Sequence, residues 1–107
     1  MRTYIMQANL QIQDVYNITG LGVVPVGTVQ SGTLKKGMQA TINGKVATIK
    51  TIEMHHEQLE EAHVGDNVGL SVTGVRKKDL AKGMVVTFIE QESEPVRQNA
   101  SGSAPEP

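Results

Sequence analysis

The chain is predicted to be an all-β domain, an antiparallel sandwich or small barrel, on three observations. Short runs rich in Val, Ile and Thr recur along it, separated by turns that contain Gly. With 38% hydrophobic residues but one Phe, two Tyr and no Trp, the core has to be built from Val, Ile, Leu and Met, and β-branched side chains suit a pleated surface. Helix-like spacing is confined to brief charged segments, so strands must carry the core. At 107 residues there is material for one core and one domain.

Residues 3–18 alternate at Leu10 and Ile12, then slip period around Asp14 before Val15 and Ile18. This predicts one strand bulged or interrupted at Gln13 and Asp14. Gly20 and Gly22 bracket Leu21 in a turn. Val23 to Gln30 is a β-branched run containing Pro25, which cannot donate to a ladder and so predicts an edge strand or a local bend. Ser31 to Gly37 is a polar connection. Met38 to Ile42 and Lys45 to Ile52 flank Asn43-Gly44, a strong hairpin signal.

Thr51 to Val72 concentrates all three histidines and five acidic residues, so site chemistry is expected there. Two apolar pieces flank a charged, helix-compatible interruption from His56 to Ala62, followed by a Gly65-Asp66-Asn67 turn. Val68 to Val75 reads as a strand, and Arg76 to Lys82 as a charged loop or single helical turn stopped by Gly83. In the last strand, Met84 to Ile89, both faces are apolar. One face should meet the core; the other is left for a partner or for cover by the chain's own loops. The domain is expected over residues 1–92. From 93 to 107 too little apolar surface remains to offset ordering entropy, and a disordered tail is expected.

Ten basic and eleven acidic residues leave a net charge of -1, so no global field draws this domain to a phosphate backbone or an anionic membrane. The scarcity of aromatic residues removes a stacking platform for single strands. Without cysteine there are no disulfides, thiolate chemistry or Cys-based zinc sites, and the composition is compatible with a reducing cytoplasm. No apolar run approaches the ~20 residues needed to cross a bilayer. His55 and His56 are adjacent and His56-Glu57-Gln58-Leu59-Glu60 ends in Glu where a zinc-protease motif needs His, so no metal site is expected. Gly44-Lys45 is followed by Val46, which excludes a P-loop, and hence GTP binding of that kind by this chain. Glu57, Glu60 and Glu61 fit a solvated face better than an acid–base pair. Neither enzyme chemistry nor a cofactor is implied.

Three segments together, D-V-Y-N-I-T-G-L-G-V-V-P-V-G (14–27), S-G-T-L-K-K-G-M (31–38) and I-E-M-H-H-E-Q-L-E-E-A-H-V-G-D-N-V-G-L (52–70), resemble one family. It is the second domain of the aminoacyl-tRNA-delivering translation elongation factors of the Tu/alpha type, closest to its archaeal and eukaryotic branch. The resemblance covers about Leu10 to Val85 and implies a closed six-stranded antiparallel Greek-key barrel, with the factor's GTPase domain and third domain absent. It further implies a cytoplasmic, non-enzymatic domain whose surface pocket holds the aminoacyl-adenosine end of charged tRNA. By motif match Ile18, Gly20 and Val24 would wall the terminal adenine and Glu53 would accept a hydrogen bond from that nucleotide. Gln13, Asp14, His55 and Asn67 would surround the esterified amino acid.

Thr28 and Gln30 stand where the family usually carries Arg and an acidic residue, Val64 replaces a usual Pro, and Met84 a polar residue. These departures motivate a second reading, a protein-interaction module that docks or dimerises through its last strand. A third reading is an excised domain of a full factor; the Met1 start and Pro-ended tail lead to the expectation of a free-standing chain instead.

Overall fold

The computed structural model describes residues 3–93. Nine strands run β1 (Thr3–Ile18), β2 (Gly22–Ser31), β3 (Leu34–Lys35), β4 (Gln39–Ile42), β5 (Lys45–Met54), β6 (Glu57–Leu59), β7 (Glu61–Ala62), β8 (Asn67–Thr73) and β9 (Val85–Ser93). A one-turn 3-10 helix at Lys77–Asp79 joins β8 to β9. Neighbours follow the order β4-β9-β1-β2-β8-β5, and β5 pairs again with β4, closing a six-stranded antiparallel barrel. β4, β5 and β8 are consecutive around it while β9 returns to lie beside β4, which is the Greek-key arrangement. β6 extends the sheet beyond β5, and β3 with β7 forms a separate two-stranded ribbon.

The alternation in the sequence becomes the inside of the barrel. Ala8, Leu10 and Ile12 of β1 meet Val29, Ile49, Ile52, Val68, Leu70 and Phe88, each at most 2% exposed. The slip at Gln13 is a bulge in a continuous strand, since Ile12 pairs with Gly27 and Asp14 with Val26, leaving Gln13 as the extra residue. Two further register shifts, without a comparable signal in the sequence, fall between Asn9 and Leu10, where Gln30 of β2 is the extra residue, and between Ile49 and Thr51. β1 and β2 approach closely near the bulge at Gln13: a Cβ added to Gly27 would overlap the Gln11 carbonyl.

Two expectations need correction. β2 is not an edge strand, because β1 pairs along one side and β8 along the other. The β2–β8 ladder skips Val24 and Pro25 between its pairs Val23↔Val72 and Val26↔Gly69, so the missing proline donor falls where β8 asks for none. The segment from His56 to Ala62 is not helical. His55 and His56 both adopt left-handed φ, 55° and 67°, and turn β6 back on β5 with Ile52↔Leu59, Glu53↔Gln58 and Met54↔Glu57 opposed. β7 then pairs Ala62 with Leu34. Seven residues are too few for a helix to stand alone, whereas strand pairing gives the amides partners at once.

The Asn43-Gly44 hairpin forms as expected, with φ of 53° and 76° as a two-residue type I′ turn requires. Its tip is tied to the 3-10 turn by Asp79, whose side chain is 6% exposed. That carboxylate accepts hydrogen bonds from Arg76 N at 2.9 Å, Lys45 Nζ at 3.0 Å and Asn43 Nδ2 at 3.2 Å. The last strand buries Val86 and Phe88 and leaves Val85 48% and Ile89 40% exposed, so the described residues do not cover its outer face. β9 runs on to Ser93 through pairing with β1; the rest of the expected tail, 94–107, lies outside the described residues.

Replacing Gly27 by Ala is expected to cost about 1–3 kcal/mol by forcing β1 from β2, read as a lower urea midpoint with an unchanged slope. Asp79 is held at about 2, below 3.8, first by the Arg76 amide and then by Lys45 and Asn43. Its folded value is depressed, so its contribution to stability is present above pH 3.8 and lost as pH falls from there towards about 2. Urea melts across that window should show the wild type losing its advantage over Asp79→Asn; a constant gap between the two would contradict this.

Candidate functional site

The outer surface of β1, β2, β8 and β5 carries the residues singled out above. One cross-strand row runs Asp14↔Val26, Val26↔Gly69, Gly69↔Glu53 and Glu53↔Gln58, from β1 to β6. Gly69 lies at its centre. Its neighbours Val68 and Leu70 are buried at 1% and 0%, so the position itself faces outward and, lacking a side chain, leaves a depression. A Cβ there would meet Val24 Cγ1 at 3.4 Å and Val26 Cγ2 at 3.7 Å. The depression therefore has a valine wall from β2 on one side and Glu53, the strand partner of Gly69 on β5, on the other.

The turn from Ile18 to Gly22 closes one end. Leu21 N donates to Ile18 O at 2.9 Å, Gly20 takes φ 89°, and the buried Ser71 donates from Oγ to Leu21 O at 2.7 Å, pinning the turn to β8. Ile18 remains 40% and Tyr16 48% exposed, offering apolar surface. His55 lies at the exposed hairpin tip two residues beyond Glu53.

The other end is a polar rim. Asn67 Nδ2 donates to Gln13 Oε1 at 2.6 Å and to Thr28 Oγ1 at 3.1 Å, and Gln13 Nε2 donates to Thr28 Oγ1 at 3.3 Å. The bulge makes this possible: the extra residue carries Gln13 outward beside Thr28, which pairs with Asn67. Both Asn67 amide hydrogens are in use, and among the described residues no donor reaches its Oδ1, which can accept. Gln30 Nε2 donates to Gln11 Oε1 at 2.9 Å alongside.

Asp14 turns elsewhere. It lines a cleft of about 590 Å³ with Val15, Lys77, Lys78, Leu80, Ala81 and Lys82. Its carboxylate accepts from Val15 N at 2.9 Å and Tyr16 Oη at 3.0 Å. The Val15 amide, then the Tyr16 hydroxyl, with smaller help from the Lys82 and Lys77 charges, hold Asp14 below its usual carboxylate range. The same bond raises Tyr16. The structure thus sets Val24 beside Gly69 and Glu53 opposite it in the ladder, places Ile18 and Gly20 in the turn that Ser71 pins to β8, joins Gln13 to Asn67, and sends Asp14 to the lysines. The sequence reading missed Gly69, Val26, Ser71 and Tyr16. Tyr16, two residues from Asp14 on a strand, could have been found by its same-face spacing. Among the described residues, no group of three His, Cys, Asp or Glu side chains is placed to hold a metal ion.

Residues 22–87 match the family model for elongation factor Tu domain 2, and the chain belongs to that family. It is 54% identical over 79 residues to Elongation factor 1-alpha of Methanococcus maripaludis, covering 72% of this chain and 18% of that protein. Against Elongation factor 1-alpha of Desulfurococcus mucosus it is 54% identical over 83 residues, 76% of this chain and 19% of that one. With the Tetrahymena pyriformis protein of the same name identity is 46% over 94 residues, 86% and 21%. The crystal structure of apo translation elongation factor SelB from Methanococcus maripaludis superposes with a TM-score of 0.68 at 26% identity, covering 76% of this chain and 18% of that one. The chain therefore spans about a fifth of the curated relatives it matches.

Replacing Tyr16 by Phe removes one of the two hydrogen bonds that stabilise the Asp14 carboxylate. The Asp14 titration, followed by carboxyl-carbon NMR, should move up towards 3.8 without returning fully to it, since the Val15 amide remains.

Proposed function

We propose that this barrel binds the aminoacyl-adenosine end of charged tRNA as a non-enzymatic, cytoplasmic translation-factor domain, with no GTP binding of its own. The observation that carries the reading is the missing side chain at Gly69, set beside the Val24 and Val26 side chains and opposite Glu53 in the ladder. A flat base can lie against valine while its polar edge or ribose hydroxyl donates to Glu53. Ile18 and the Gly20 turn border the base. Asn67 Oδ1, with Gln13 and His55, suits the donors of an ester-linked amino acid. Asp14 and the lysine cleft beside it would meet the charged surroundings of that end. Similarity to elongation factor Tu domain 2 over residues 22–87 supports the same reading.

Affinity should be modest, because a chain of net charge -1 contributes little of the salt-dependent phosphate attraction. Titration with charged and deacylated tRNA is expected to favour the charged form, and Glu53→Ala to weaken its binding about tenfold, as for one hydrogen bond to a charged group. Equal, featureless binding of the two RNAs would sink the proposal.

A second reading is a docking module, favoured by the outer face of β9. Val85 and Ile89 are exposed there, and outward neighbours across the sheet, Thr87, Asn9, Gln11, Gln30 and Thr28, are uncharged. Charge depletion is typical of an interface centre. Strictly monomeric sedimentation together with failure to retain any partner from native lysate would remove it.

A further inference from the structure

Independent of what the barrel binds, the tie between Asn43 and Asp79 has a chemical weakness. The chain has five asparagines, Asn9, Asn17, Asn43, Asn67 and Asn99, and only Asn43 precedes a glycine. We infer that Asn43 is a site of spontaneous covalent modification, whose deamidation converts the amide facing Asp79 into a carboxylate and weakens the tie of the β4–β5 hairpin to the Arg76–Lys82 segment.

The reaction needs only water. The backbone nitrogen of Gly44 attacks the side-chain carbonyl carbon of Asn43, a C–N bond closes a five-membered succinimide, and the amide nitrogen leaves as ammonia with the proton that Gly44 gives up. Water then adds to one of the two ring carbonyls and the corresponding C–N bond breaks, giving aspartate or isoaspartate. Glycine favours the attack because no side chain shields its nitrogen, and both turn residues are exposed to solvent. Against it stands the hydrogen bond from Asn43 Nδ2 to Asp79 Oδ1, 3.2 Å, which engages the amide.

The product cannot keep that contact. Asp79 is already an ionised carboxylate, 6% exposed, with Lys45 Nζ at 3.0 Å as its one cationic partner among the described residues. A second carboxylate facing it is repelled, and isoaspartate adds a methylene to the backbone of a two-residue turn that tolerates none. The segment so loosened carries Lys77, Lys78 and Lys82, which line the cleft with Asp14. Ageing at one residue therefore loosens the basic cleft without cleaving the chain.

A double-mutant comparison separates this from general damage. Asn43→Asp should lower the melting temperature by about 5 °C or more in the wild-type background, and by much less in Asp79→Asn, where no carboxylate opposes the new one. Native protein kept in mildly alkaline buffer at physiological temperature should show the amide-to-acid mass gain at Asn43 several-fold faster than at Asn9, Asn17 or Asn67 by peptide mass spectrometry. Unchanged melting of Asn43→Asp, equal loss in both backgrounds, or modification spread evenly over the asparagines would each overturn the inference.

Discussion

Closure of the sheet through β4 is the constraint on which the rest depends. Once β4 pairs with β5 on one side and β9 on the other, every inward position of six strands must be filled by a side chain that fits a small interior, and none is left to line a channel. Function is thereby confined to the outer surface and strand ends. The core is correspondingly uniform in chemistry: β-branched and aliphatic residues with Phe88 as the single large ring among the described residues. Such a core specifies volume but no chemistry, which is why the informative residues are the ones it excludes.

One departure from regular pairing and one missing side chain then shape that outer surface. The bulge at Gln13 puts two consecutive residues of β1 to different uses: Gln13 joins Thr28 and Asn67, and Asp14 faces the lysines of the 3-10 segment. Gly69 does the opposite by removing a side chain where the row from Val26 to Glu53 would otherwise be continuous. Adding a residue and withholding a side chain yield a polar rim, a depression and a basic cleft on one side of a small domain. The Thr28 hydroxyl fits this rim because it can accept from both amides, which a guanidinium, holding only donors, cannot do.

Asp79 performs the complementary task at the barrel's end. One buried carboxylate holds a hairpin tip, a helical turn and a lysine side chain together, joining residues more than thirty positions apart. A charge can be kept there because three donors replace the water it gives up. The Lys77–Lys82 segment thus keeps its place beside Asp14, so the cleft inherits its shape from a tie outside it.

Local chemistry acts between neighbours in sequence, and there the sequence by itself determined the outcome: the strands, the Asn43-Gly44 hairpin, the slip at Gln13, the helical turn near Lys77, and through several motifs the family and its barrel. It misled where local spacing imitates helix, in the glutamates after His56, and where Pro25 imitates an edge. Site membership was legible only in part, since Gln13 and Asn67 meet across 54 positions of chain and Gly69 gains its meaning from Val24 and Glu53 on either side. Tertiary structure alone decided that Asp14 parts from Gln13 and Asn67 and faces the lysines instead. The physical reason is register: which residues oppose one another across β1, β2, β8 and β5 is set by closing the barrel around its core, a condition on the whole chain that no single stretch contains.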